Sequence, residues 1–233
     1  MGMLSPSMHN GIITSGMGNF NTNTKRTSAT MSRVVAYIDG FNLYYGLREK
    51  YGHKYMWLDM RKLVSNLLKP DQKLAKVKYF TALVRDNPEK EKRQRTYLDA
   101  LKATTEVEII FGKYKLSDFR CPHCGRSTTS PSEKMTDVNI SVSMIRDAVH
   151  NRFDTALLIT GDSDLTPAVN AISAIAPEKR IVVVFPPRRS AFELRDAADA
   201  CISIFRTTFA RSQLPDEVIT ESGHVLRRPD KWR

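Results

Sequence analysis

From Arg33 onward, short apolar runs rich in Val, Ile and Phe alternate with amphipathic stretches, and this rhythm narrows the possible folds more than any other feature of the chain. The pattern predicts strands over 34–39, 76–84, 106–112, 155–160, 180–185 and 201–205, separated by helices over 42–50, 59–68, 88–103, 137–150, 164–175 and 190–198. Strands covered on both faces read as continuous apolar runs, and helical crossovers join parallel neighbours, so the expected architecture is doubly wound α/β. The 233 residues suffice for one buried domain of about 150–200 residues plus tails. Residues 1–31, rich in Ser, Thr, Asn, Gly and Met and without periodicity, are expected to be a largely disordered extension. Residues 206–233, with Pro215, Gly223 and Pro229, are expected to form an extended tail that wraps the domain or crosses to a partner.

Ligand sites in open α/β sheets lie outside the carboxyl ends of the strands, where loops fan apart and helix amino termini point inward. Two such ends carry acids. Asp39 closes the run Val34-Val35-Ala36-Tyr37-Ile38, and Asp162 and Asp164 follow Ala156-Leu157-Leu158-Ile159-Thr160-Gly161. An acid that directly continues a five-residue apolar run needs a partner or a cation. Asp137 opens a periodic helix in which Val138, Val142, Ile145 and Val149 define an apolar stripe expected to be buried, with Asp137 beside it. Plainer roles compete: Asp164 or Ser163 suits a helix cap, and a first-turn acid such as Asp137 suits the helix dipole. In the turn Gly40-Phe41-Asn42, the Asn42 amide is placed to orient a phosphate, a water or the Asp39 carboxylate. Carboxylates gathered within a few ångströms raise one another's pKa unless a cation neutralises them, and magnesium or manganese suits an all-oxygen cage that retains waters.

Charge points to the partner. Lys and Arg number 36 against 25 Asp and Glu, a net charge of +11, which attracts phosphate backbones and makes nucleic acid the expected ligand, although an exported or anionic-membrane protein shares that balance. No run of about 18 apolar residues and no apolar signal centre is found, so no membrane span is expected and a cytoplasmic location follows by default. The cluster at Lys90, Lys92, Arg93 and Arg95 reads as a solvated helix face. Arg188 and Arg189 follow strand 180–185 and so fall on the sheet edge that bears the acids, where they are candidates for phosphate contacts while Tyr44, Tyr45 or Phe119 stacks on bases.

Three cysteines do not make a disulfide framework. Cys201, beside Ile202 and Ile204, reads as a core residue. Cys121-Pro122-His123-Cys124-Gly125 is half of a zinc site, since tetrahedral zinc needs four ligands and no second Cys-x-x-Cys exists. His123, the distant His53 and His150, or a second copy of the knuckle across a symmetry axis are the candidate donors, the alternative being a metal-free remnant or a redox-labile pair, and the knuckle and tail are together consistent with a homodimer.

In order along the chain, Tyr37-Ile38-Asp39-Gly40-Phe41-Asn42-Leu43-Tyr44, Glu133-Lys134-Met135-Thr136-Asp137-Val138-Asn139-Ile140 and Thr160-Gly161-Asp162-Ser163-Asp164-Leu165 resemble the three acidic motifs of the NYN domain family, in its LabA-like branch within the PIN-like nuclease superfamily. The resemblance covers about residues 33–205, and the cysteine insertion near 115–132 looks like that of some family members. It implies a Rossmann-like three-layer α/β/α fold around a mainly parallel sheet. It further implies a magnesium- or manganese-dependent ribonuclease acting on RNA, with DNA left open, through Asp39, Asp137, Asp162 and Asp164, with Asn42 as an auxiliary. Lys134 departs from the simplest pattern: it contacts the scissile phosphate or is merely solvated. Two rivals stand beside this reading. One is an RNA-binding adaptor with a vestigial acidic pocket; the other is a haloacid-dehalogenase-like phosphatase, disfavoured because Phe41 holds the place of its second acid.

Overall fold

Val34, Ala36 and Ile38 enter the core on one side of the first strand while Val35 and Tyr37 enter it on the other, so the strand is buried on both faces as its unbroken apolar run requires. The computed structural model describes residues 31–120 and 122–233, the side chains of 115–120 and 128–133 excepted. Its central sheet has six strands: β1 (Ser32–Asp39), β2 (Gln72–Thr81), β3 (Val107–Phe111), β6 (Thr155–Ile159), β7 (Arg180–Phe185) and β8 (Ala200–Ser203). Their spatial order is β3-β2-β1-β6-β7-β8, and every pairing is parallel. The chain builds outward from β1 to β3, returns to place β6 on the other side of β1, and builds outward again. The reversal between β1 and β6 is the topological switch point, where diverging connections open a crevice at the strands' carboxyl ends.

Helices cover both faces. Leu43 and Leu47 of α1 (Gly40–Tyr51), Met60, Leu63 and Val64 of α2 (Met60–Ser65) and Tyr97, Leu98 and Leu101 of α3 (Pro88–Thr104) fill one layer. Ile140, Met144 and Ala148 of α4 (Thr136–Val149), Val169 and Ile172 of α5 (Thr166–Ile175) and Leu194 of α6 (Phe192–Ala197) fill the other. The result is the three-layer α/β/α architecture expected from the sequence. No helix among the described residues is long and apolar enough to cross a membrane.

Three features go beyond these expectations or against them. The cysteine insertion contributes an antiparallel hairpin, β4 (Lys113–Arg120) and β5 (Ser127–Lys134), paired Lys113 to Lys134 and Arg120 to Ser127. The stretch after residue 205 is more than an extended tail: α7 (Arg206–Arg211) and a small hairpin, β9 (Glu217–Ile219) and β10 (Val225–Arg227), bring Phe209, Leu214, Val218, Leu226 and Trp232 into the first layer's core. Trp57 fastens this stretch by donating its indole N–H to the Pro215 carbonyl at 2.6 Å.

The third feature, a correction, concerns α4. Val138, Val142 and Val149 are 60, 57 and 65% exposed; the buried face is Ile140, Met144 and Ala148, joined by Ser143 and Asp147. Both stripes have helical spacing, so periodicity alone could not choose between them. The inward one is anchored by Asp147, which meets the buried Lys78 and Tyr37 on the sheet. Asp137 lies three residues before Ile140 and therefore shares the inward face. Met144→Ala is accordingly expected to cost about 2 kcal/mol or more, and Val142→Ala no more than about 0.5 kcal/mol. Urea unfolding of the two variants checks this, and equal losses would restore the rejected stripe.

Candidate metal centre

Asp39 is both the last residue of β1 and the N-cap of α1. Its Oδ1 accepts the Asn42 backbone N–H at 3.0 Å, and its Oδ2 accepts the Thr160 hydroxyl at 3.0 Å. The same Thr160 oxygen accepts the Asp162 N–H at 3.1 Å, while the Asn42 side-chain oxygen accepts the Gly161 N–H at 2.9 Å. One buried threonine and one asparagine thus lace the end of β6 to the junction of β1 and α1 across the switch point. Thr160 was part of the sequence motif but had no assigned role, and only the pairing of β1 with β6 reveals it.

Asp162 caps the 3₁₀ turn Ser163–Leu165, accepting the Asp164 N–H at 3.0 Å, so the cap falls on Asp162 and not on Ser163 or Asp164. Asp137 comes from the first turn of α4. That helix is entered through Met135, whose φ of 76° is a left-handed conformation that a non-glycine residue adopts at a cost of about 1 kcal/mol or more. With these placements, carboxylate oxygens of Asp39, Asp137 and Asp162 all lie within 4.8 Å of one another. Among the described residues no other group of three His, Cys, Asp or Glu side chains converges in this way. Asp164 is exposed and stands outside the triad.

Burial pushes the Asp39 carboxyl up to about 6 against the lowering pull of the Asn42 N–H and the Thr160 hydroxyl, and the charges of Asp137 and Asp162 add to the rise. A divalent cation would reverse that balance. Three hard carboxylate oxygen donors within reach of one another suit a divalent cation, with the remaining positions left to water.

Of the other sequence candidates, Lys134 is exposed at the end of β5, and Arg188 is exposed in a left-handed conformation with φ 55°. Arg189 is bonded through its guanidinium to Glu49 of α1. The loop bearing Arg189 lies flat against the end of β6: a Cβ on Gly161 would come within 2.7 Å of the Arg189 Cβ. Tyr44 is half-buried and meets Tyr45 edge to face at 5.3 Å. On α3, Lys90, Arg93 and Arg95 each pair with an acid one turn away, as a solvated face would. Cys124 is an exposed free thiol, whereas Cys121 lies outside the described residues, as does the side chain of Phe119. Cys201 is only partly buried, because β8 is the edge strand.

A family model described as the NYN domain matches residues 33–205. Over 188 residues the chain is 27% identical to 6-hydroxy-3-succinoylpyridine 3-monooxygenase HspA of Pseudomonas putida (strain DSM 28022 / S16), a match covering 66% of this chain and 59% of that protein. The chain therefore spans less than two thirds of that relative's length. The crystal structure of VPA0982, a protein of unknown function from Vibrio parahaemolyticus RIMD 2210633, is similar with a TM-score of 0.52 and 21% identity, covering 79% of this chain and 98% of that one. At that identity the likeness speaks for the fold alone.

Proposed function

Because the chain belongs to the NYN domain family, of the PIN-like nuclease kind, we propose that it is a metal-dependent endoribonuclease that hydrolyses RNA phosphodiester bonds at the switch-point triad. Within the family we read it as LabA-like, on its three acidic motifs. The observation that carries the proposal is the convergence of Asp39, Asp137 and Asp162, from β1, α4 and the end of β6, onto one small volume in a chain of net charge +11.

A magnesium or manganese ion held there would polarise a phosphoryl oxygen and lower the pKa of a bound water. The chain's own part is position and charge. Asn42 and Thr160 each occupy one lone pair of Asp39, fixing its plane while leaving further acceptor capacity on both oxygens. Asp164, exposed beside the triad, serves as a group that positions water. Lys134, Arg188 and Arg189 supply the cations that an RNA strand's phosphates would meet.

The Pseudomonas putida relative brings a second reading. It is named for oxygenation of a hydroxylated pyridine, and the acidic triad of this chain adjoins a cavity with aromatic walls. In that reading a small ring compound takes the place of RNA. A non-catalytic RNA adaptor is the third.

One experiment sets the ribonuclease apart from the other two. A mixed RNA pool incubated with manganese is expected to be cut by the protein, and not by Asp162→Asn or in excess chelator. The asparagine retains the acceptor oxygen that caps the 3₁₀ turn, so the variant is expected to keep the native circular dichroism spectrum. Undiminished cleavage by Asp162→Asn would overturn the mechanism, and intact RNA with the native protein would favour the other readings.

A further inference from the structure

We propose that the cavity beside the triad is a binding site for one six-membered nitrogen heteroaromatic ring, supplied by a pyrimidine base of the RNA strand whose phosphate lies at the carboxylates. The source of the ring rests on the ribonuclease reading; the ring site itself does not.

Position comes first. Gly40, the residue after Asp39, forms part of the cavity wall, and Tyr79 stands opposite on β2. The two approach so closely that a Cβ on Gly40 would fall 2.7 Å from the Tyr79 hydroxyl and 2.6 Å from the Phe80 carbonyl. No side chain at position 40 therefore stands between the cavity and the acid. Burial and then the Asp39 charge push the Tyr79 hydroxyl above its ordinary pKa, as expected of neighbours.

Size comes second. The cavity measures about 170 Å³. An apolar protein cavity of about 150 Å³ takes up benzene, so this space accommodates one six-membered ring, and the second fused ring of a purine exceeds it unless the walls move.

The chemistry of the wall agrees. Tyr44, Tyr45, Tyr79 and Tyr97 present aromatic surface, which stacks on bases without regard to sequence. Trp232, delivered by the carboxy-terminal segment, also lines the cavity, and its buried indole N–H has no partner among the described residues. An orphaned buried donor calls for an explanation, and the ring carbonyl or ring nitrogen of a pyrimidine is an acceptor that would supply one. Tyr45 and Arg48 are exposed, so the cavity reaches the surface, and there Arg48 lines it with positive charge suited to a phosphate beside a base, while Lys90 and Arg93, which also line it, are paired with Asp86 and Glu89. A mere packing defect would be sealed by apolar side chains and would lack this charged mouth.

The test is a set of calorimetric titrations without divalent cation, so that it stands whether or not RNA is cleaved. The probes are cytidine 5′-monophosphate, adenosine 5′-monophosphate, ribose 5-phosphate and 2-hydroxypyridine. Cytidine 5′-monophosphate is expected to bind roughly tenfold or more tightly than ribose 5-phosphate, the order that base stacking provides, and more tightly than adenosine 5′-monophosphate. Leu47→Phe, which pushes bulk into the cavity, is expected to abolish that preference. Tyr45→Ala, at an exposed position that does not threaten folding, is expected to weaken it severalfold. Equal affinity for cytidine 5′-monophosphate and ribose 5-phosphate would overturn the ring site. Binding of 2-hydroxypyridine as tight as that of the nucleotide would uphold the ring site and overturn the RNA strand as its source.

Discussion

At pH 8 and without added divalent cation, Asp39→Asn is expected to withstand more urea than the native sequence while losing its capacity to cleave RNA. Burial holds the Asp39 carboxyl at about 6 in place of its ordinary 3.8, so the folded protein binds this proton more tightly than the unfolded chain does. The stability that Asp39 contributes is therefore complete below about pH 4 and is withdrawn as the pH rises through about 6. A rise of this size corresponds to roughly 3 kcal/mol. Asparagine carries no charge, but it offers one acceptor oxygen where the carboxylate offers two to Asn42 and Thr160, which forfeits about 1 kcal/mol. The net gain at pH 8 is about 2 kcal/mol by those same figures, and the two unfolding midpoints draw together as the pH is lowered toward 4. Manganese is expected to narrow the gap at pH 8, because a ligand that binds only the folded state stabilises it by mass action. Cleavage should fall by more than the roughly 10–100-fold that loss of an outer-shell metal partner costs. A variant less stable than the native protein at pH 8 would show that the two hydrogen bonds outweigh the buried charge.

The largest loss of stability from a site remote from the triad is expected at Lys78. Its ammonium lies 2.5 Å from Asp147 Oδ2, and the Tyr37 hydroxyl donates to the same oxygen at 2.8 Å, both beneath α4 on the sheet. Lys78 and Asp147 are almost wholly buried, and the Lys78 ammonium also sits 5.7 Å from the Tyr37 ring centre. Burial foremost, and then the Asp147 charge, push the Tyr37 hydroxyl well above its ordinary range, so it remains a donor at all working pH values. Lys78→Met leaves the Asp147 carboxylate with the tyrosine and with Arg146, whose Nε is 3.9 Å away and mostly solvated. Breaking a buried pair from one side costs about 3–5 kcal/mol, and the Arg146 contact places this case at the lower end. Replacing both partners by apolar residues, in Lys78→Met with Asp147→Leu, is expected to recover most of that loss, since no buried charge is then left over. Urea unfolding of the single and double variants decides, and a single variant within about 0.5 kcal/mol of native, the range of surface substitutions, would mean that the pair is not sequestered from water.

The elements that could be read from the sequence are those whose burial is written in consecutive residues. β1 is a continuous apolar run that ends in Asp39 and β6 one that is followed, beyond Thr160 and Gly161, by Asp162, and the placing of both acids at one edge of the sheet follows from those runs. α4 was harder, because its Val138 and Ile140 stripes have the same period, and only the sheet beneath, through Lys78, settles which turns inward. A lysine in the middle of a strand gives no sign of being buried until its partner 69 residues away is in place. The contribution of residues 206–233 was hidden for a related reason: Phe209, Leu214, Val218, Leu226 and Trp232 follow no helical or strand period, and their burial depends on a core made elsewhere in the chain. At the triad the acids were legible but not Thr160, whose hydroxyl gains its two partners only when strands distant in sequence become neighbours.

The cross-strand hydrogen bond from Thr160 to Asp39 spans 121 residues of chain. Loop closure over such a separation is slow relative to local helix formation, so the three carboxylates face one another only once the two halves of the sheet have met. A refolding chain should consequently regain its affinity for manganese after its helical signal has returned, which makes the paramagnetic ion a reporter on the moment at which the halves join.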